Sequence, residues 1–147
     1  MTVTTRCCET IAAPAPTVWA AIERIETHVE WMADASRIVP LGAVREGVGA
    51  TFSCETRVGP LRTRDRLVVT EWAPGQRLAV AHTGVVRGEG RFGLRAVGDG
   101  TEFCWDETLR FPWWIGGPVG ERLARPVLRR VWRGNLRRLR ERVEASR

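Results

Sequence analysis

The alternation of apolar and polar residues predicts a strand, two short helices, a run of strands and a long final helix. Residues 2–11, "TVTTRCCETI", alternate as a strand does. Residues 13–25, "APAPTVWAAIERI", carry apolar side chains at helical spacing, and Pro16 suits a first helical turn. Thr27 and Glu30 have the spacing of a capping box, which predicts a second short helix starting there.

From Arg37 to Phe111 the turn signals "EGVG", "VGP", "APGQ" and "GDG" separate about six antiparallel strands. In a hairpin the residues flanking the turn face each other and parity then alternates. Turns at 59–60, 73–76 and 99–100 predict that Val58 opposes Leu61, Trp72 opposes Arg77 and Gly98 opposes Thr101. All three assignments place the apolar residues on one shared face, with Leu67 opposite His82.

The segment from Pro118 predicts one long helix, kinked at Pro126. At about 100° per residue, its apolar residues form one broad arc and its arginines the other. Such a helix is expected to cover the apolar face of the sheet, which gives an α+β fold. Asn135 lies inside the apolar arc, which comprises Ala124, Leu128, Val131, Trp132, Leu136, Leu139 and Val143.

Composition favours one globular domain spanning residues 1–147, because 44% of the 147 residues are apolar and 27% charged. We expect a cytoplasmic protein, since no apolar run spans a bilayer and the N-terminus lacks signal-peptide features. Four cysteines without secretory context favour free thiols. His28 and His82 are isolated and no CxxC spacing occurs, so neither a metal nor another cofactor is expected.

Four stretches carry a resemblance to a known superfamily. They are "APAPTVWAAIERIETHVEWM", "VTEWAPGQRL", "GDGTEFCWDETLRF" and "LRRVWRGNLRRLRERVE". Together they resemble the START-related, birch-pollen-allergen-like (SRPBCC) superfamily, in particular its polyketide cyclase/dehydrase branch. The resemblance covers the whole chain. It implies a helix-grip fold, in which a curved antiparallel sheet of six to seven strands wraps a long C-terminal helix and leaves a cavity for a hydrophobic molecule.

Strand parity then predicts the residues that line this cavity. A mostly apolar wall with a few polar groups is typical of small-ligand sites. The predicted lining is Trp31, Phe52, Cys54, Thr56, Leu67, Val69, Val80, Phe92, Leu94, Trp105, Leu128, Trp132 and Asn135. Asn135 could anchor a ligand carbonyl or satisfy a backbone group.

Three inward-facing ionisable residues are candidates for catalysis. His82 is diagonal to Asp65, so the two could act together as general acid and base on a ketone or enol, or form only a structural pair. Glu107 shares a face with Trp105. It could be an acid–base group inside the cavity, or lie near the rim, either solvated or paired with an arginine, and the rim position is favoured.

The segment "FPWWIGGPVG", residues 111–120, joins the last predicted strand to the long helix. No Gly-Lys-Ser/Thr follows, so it does not indicate a phosphate loop. A membrane wedge is a minor alternative to a hinge. We expect Trp113, Trp114 and Ile115 to form a gate at one end of the cavity.

Net charge is concentrated in the long helix. Residues 118–147 hold 10 Arg and 3 Glu, or +7, while residues 1–117 hold 13 Arg and 14 acids, or −1. A basic helix is typical of nucleic-acid or anionic-lipid binding, but its apolar side is needed to close the core, which favours a solvated outer face. We therefore expect no nucleic acid partner and at most weak surface association. "GEGRFG", residues 88–93, lies within a strand pattern and does not indicate a dinucleotide site.

These features predict a protein that binds a small hydrophobic, aromatic or polyketide-like ligand. The resemblance implies polyketide cyclase or dehydratase activity, although the absence of tyrosine and of a mappable polar array departs from the aromatase/cyclase enzymes of that branch. The alternative is a non-catalytic carrier or regulatory module for lipid-like ligands. Oligomeric state does not follow from the pattern.

Overall fold

The computed structural model describes residues 2–146, which form seven strands, two α-helices and two short 3-10 segments. Strand β1 is followed by helix α1, a short 3-10 helix and strands β2 to β7; a 3-10 turn then leads into helix α2. The bounds are β1 Thr2–Ile11, α1 Ala15–Ile22, 3-10 helix Ile25–Glu30, β2 Ala35–Leu41, β3 Thr51–Val58, β4 Leu61–Ala73, β5 Arg77–Thr83, β6 Arg87–Val97, β7 Gly100–Arg110, 3-10 turn Trp113–Ile115 and α2 Gly117–Ala145.

The strands form one antiparallel sheet in the order β1-β7-β6-β5-β4-β3-β2. The sheet closes around the C-terminal half of α2, where Trp132, Leu136, Leu139 and Val143 are buried. This is the predicted helix-grip architecture, and it is confirmed. Helix α2 continues through Pro126 without interruption.

Turn chemistry predicted the faces of the sheet better than its register. Val58 does oppose Leu61, and Leu67 does oppose His82. Trp72, however, opposes Leu78, because a bulge between Val69 and Glu71 shifts the end of the β4–β5 hairpin by one residue.

The β6–β7 turn also differs from the prediction. It consists of Gly98 and Asp99, so Val97 opposes Gly100 and Ala96 opposes Thr101. The predicted pairing of Gly98 with Thr101 was wrong by two residues. An even shift preserves the alternation of side chains, which is why the inward face was assigned correctly.

Two local expectations are wrong. The short helix starts at Ile25 with no side-chain cap, and the Thr27 hydroxyl donates to the Arg24 carbonyl at 2.6 Å.

Cys8 and Cys104 form a disulfide between directly paired positions of β1 and β7, although all four cysteines were expected to be free thiols. Cys7 and Cys54 are free and buried. No helix within residues 2–146 has the length and apolar character needed to cross a membrane.

Candidate functional site

A cavity of about 140 Å³ lies between the inner face of the sheet and α2. This volume is close to that of engineered apolar cavities of about 150 Å³ that hold one benzene ring. Leu61 lines the cavity and is 42% exposed, which places an opening near the β3–β4 hairpin. Phe111 and Leu128 line the same cavity from the β7–α2 connection and from α2.

An ion pair lies on the cavity wall. His82 Nε2 of β5 is 2.7 Å from Glu107 Oε1 of β7, and the Glu107 side chain is 5% exposed. The contact lacks the alignment of a regular hydrogen bond. Trp105 Nε1 donates to the other oxygen, Oε2, at 2.7 Å. Glu107 is therefore held from both sides inside the cavity, and its predicted position near the rim is wrong.

Glycines of β6 make this pair sterically feasible. Strand β6 lies between β5 and β7, with Gly88 opposite His82 and Gly90 opposite Glu107. Because neither glycine has a side chain, His82 and Glu107 can meet across the intervening strand. A Cβ atom added at Gly90 would lie 2.5 Å from Glu107 Oε2, well inside contact distance. The glycines of the "GEGRFG" segment thus leave room for the contact between His82 and Glu107, a role that sequence reasoning missed.

The environment favours a protonated His82. Burial alone would lower its pKa, but attraction and close contact with Glu107, with smaller contributions from Asp65 and Asp34, raise the pKa above the ordinary value of 6.5. A buried imidazolium beside a carboxylate can donate a proton to a carbonyl oxygen or leaving hydroxyl. The pair therefore has the chemistry of a general acid with an attached counter-ion.

Asp65 lies near this pair but does not bond to it. Its Oδ2 accepts a hydrogen bond from Thr63 Oγ1 at 3.2 Å. Burial raises the pKa of Asp65, partly offset by the Thr63 hydrogen bond and the charge of His82. Asp65 was the predicted acid–base partner of His82, but the residue in direct contact with His82 is Glu107. Asp65 acts on the imidazole only through space, by its charge.

Asp34 is a wall residue that sequence reasoning missed. Asn135 Nδ2 donates to its Oδ1 at 2.7 Å, and burial raises the pKa of this carboxyl. Asn135 Oδ1 in turn accepts from the Ala33 backbone N–H at 2.9 Å and from Arg138. Asn135 thus ties α2 to the segment before β2 and does not line the cavity. A lone polar residue in the apolar arc of α2 was the signal that it had buried partners.

The other predicted lining residues divide into two groups. Those at the wall are Thr56, Leu67, Val80, Phe92, Trp105, Leu128 and Trp132. Those packed into the core away from the wall are Trp31, Phe52, Cys54, Val69 and Leu94. The second group lies where the sheet and helices close tightly, and strand parity cannot separate a filled interior from an open one.

The predicted gate residues are not at the wall. Trp113 is 83% exposed and Trp114 63%, and neither lines the cavity. The side chain of Ile115 is outside the described part of the structure. Phe111 is the residue of this connection that does contact the cavity. Within residues 2–146 no group of three His, Cys, Asp or Glu side chains is arranged to hold a metal ion.

Comparison with known proteins identifies the family. The family described as "Polyketide cyclase / dehydrase and lipid transport" matches residues 2–144. The chain belongs to this family. Family membership agrees with a fold that binds a hydrophobic ligand, and it leaves the ligand and any reaction open. No curated protein matches the sequence.

Solved structures resemble this family member in fold. TTHA0849 from Thermus thermophilus is 20% identical with a TM-score of 0.85, covering 97% of this chain and 98% of its own. The di-domain ARO/CYC StfQ from the steffimycin biosynthetic pathway is 16% identical with a TM-score of 0.80, covering 99% and 52%. The Zhui aromatase/cyclase from Streptomyces sp. R1128 is 16% identical with a TM-score of 0.73, covering 98% and 94%.

Proposed function

We propose that the protein binds a small aromatic or polyketide-like ketone in its cavity and promotes proton transfer at the carbonyl, as cyclisation or dehydration requires. The observation that carries this proposal is the buried His82–Glu107 pair on an otherwise largely apolar wall. Similarity to proteins named as aromatase/cyclase supports the same chemistry.

Each residue has a distinct role in this proposal. The His82 imidazolium donates a proton to the carbonyl oxygen, or to a departing hydroxyl that leaves as water, while solvent water takes the α-proton. Glu107 keeps the imidazole charged and oriented, and Trp105 holds Glu107 by its indole N–H. Phe92 and Trp132, whose rings contact Trp105, form the aromatic surface against which a flat ligand would stack.

Ligand binding is tested by isothermal titration calorimetry with 2-tetralone, in which a single aromatic ring is fused to a cyclic ketone. Leu128→Trp fills the cavity and should weaken binding about tenfold, because overpacking of this kind is costly. Leu123→Trp is the matched control, since Leu123 lies on the same helix but is 67% exposed. Equal binding by both variants would place the ligand elsewhere.

Catalysis is tested by following deuterium exchange α to the carbonyl of 2-tetralone by NMR. His82→Gln and Glu107→Gln should slow the protein-dependent exchange about 100-fold while 2-tetralone still binds. Exchange should also fall as pH rises through the raised pKa of His82, because the acid form is lost.

Non-catalytic carriage of a hydrophobic ligand is the second candidate function, favoured by the apolar majority of the wall. It predicts that the wild-type protein binds 2-tetralone but does not accelerate exchange. Accelerated exchange that both variants retain would instead remove His82 and Glu107 from the catalytic roles proposed for them.

A further inference from the structure

The outer face of α2 carries an apolar stripe that the core does not use. Val119, Leu123 and Val127 are spaced four residues apart and are 69%, 67% and 51% exposed. Residues at this spacing share one side of a helix. The buried residues Trp132 and Leu136 lie on the opposite side, so the stripe faces away from the sheet.

Two tryptophans extend this stripe at the start of the helix. Trp113 and Trp114, in the 3-10 turn just before α2, are 83% and 63% exposed. We name the five residues Trp113, Trp114, Val119, Leu123 and Val127 the outer apolar patch. Contiguous exposed apolar side chains of this kind mark interaction sites. Adjacent exposed indoles favour a membrane–water interface, where the ring is apolar and the N–H remains hydrated.

Positive charge flanks the outer apolar patch. Arg122 and Arg130 are exposed and form no ion pair with a carboxylate among residues 2–146. Glu121 is the one acidic residue between Pro118 and Arg140, and it pairs with Arg125 at 3.1 Å. Apolar side chains flanked by uncompensated arginines complement an anionic lipid surface, which accepts both.

We propose that the outer apolar patch and its flanking arginines dock the protein on an anionic phospholipid bilayer. The N-terminal half of α2 lies along the interface, with Trp113 and Trp114 in the headgroup region and the arginines against lipid phosphates. Phe111 and Leu128, which are close in sequence to the patch, line the cavity from the side of α2 that faces the sheet.

The test uses the full chain and sucrose-loaded vesicles of phosphatidylcholine with or without 30% phosphatidylglycerol, a composition chosen for the assay. Sedimentation should show binding to the anionic vesicles, weak binding to the neutral ones, and loss of binding as salt is raised. Arg122→Gln and Arg130→Gln should each weaken binding about fivefold, as expected for one arginine near an anionic surface.

Variants of the patch test the apolar contribution. Trp113→Ser with Trp114→Ser, and separately Leu123→Ser, should reduce binding at least as strongly as loss of an arginine. These side chains are exposed, so the variants should keep the wild-type melting temperature. Val48→Ser and Arg45→Gln, in the loop between β2 and β3, are the matched controls and should bind as wild type.

Three results would overturn the proposal. The first is equal binding to neutral and anionic vesicles. The second is wild-type binding by the patch variants. The third is a dimer in sedimentation velocity that Leu123→Ser dissociates, since the stripe would then pair two copies of the chain. Ligand binding and exchange in vesicle-free solution should be unchanged in the patch variants, so failure of docking is separable from failure of the proposed function.

Discussion

The pKa values of the two histidines should be shifted in opposite directions from 6.5, and a single substitution should change the pKa of only one of them. His28 is buried, and its Nε2 is 2.7 Å from the Ile22 carbonyl oxygen. Burial lowers its pKa from 6.5 to about 4, despite that hydrogen bond and the charge of Glu26. The pKa of His82 is raised, because Glu107 outweighs the effect of burial.

The lowered pKa of His28 makes the free energy of unfolding depend on pH. A fall from 6.5 to about 4 corresponds to about 3 kcal/mol at about 1.4 kcal/mol per unit. The unfolded chain binds this proton below pH 6.5 and the folded protein does not. The contribution is therefore complete above pH 6.5 and lost as pH falls toward 4. His82 has the opposite sign, since its contribution is present below pH 6.5 and lost as pH rises through its raised pKa.

Proton NMR can follow both imidazoles, because the chain has two histidines. Glu107→Gln removes the charge but leaves an oxygen for the Trp105 indole, so the pKa of His82 should fall while His28 is unchanged. Glu102→Gln, also on β7 but in an exposed pair with Arg95, is the control. A wild-type His82 titrating at or below 6.5, or equal shifts in both variants, would refute the assigned role of Glu107.

Two further substitutions test the supports of the site. Gly90→Ala should displace Glu107, because the new Cβ would lie 2.5 Å from its Oε2. The rate of ketone exchange should then fall as it does in Glu107→Gln. Exchange at the wild-type rate would contradict the role assigned to the glycines of β6. Asn135→Ala should lower the free energy of unfolding in urea by about 2 kcal/mol, since it leaves the Ala33 N–H without its partner, whereas unchanged stability would mean that water replaces the amide.

Local pattern determined most of the fold. The alternation of strand residues, the turn residues and the arc of α2 predicted the sheet, the inward face and the helix that covers it. These features survived the displaced turn at Gly98, because a two-residue shift keeps the alternation, and the one-residue bulge before Glu71 altered only the end of the β4–β5 hairpin. The inward position of His82, Asp65 and Glu107 was therefore within reach of the local pattern, whereas the helix-grip arrangement followed from the family resemblance.

Tertiary structure decided which inward residues meet. His82 contacts Glu107, 25 positions away and across a third strand, because Gly90 leaves that strand without a side chain. Cys8 and Cys104 pair because β1 closes the sheet beside β7. Asp34 reaches the wall because Asn135 holds it there. Such contacts depend on strand order and on the space left between packed side chains, and the local sequence pattern specifies neither of them.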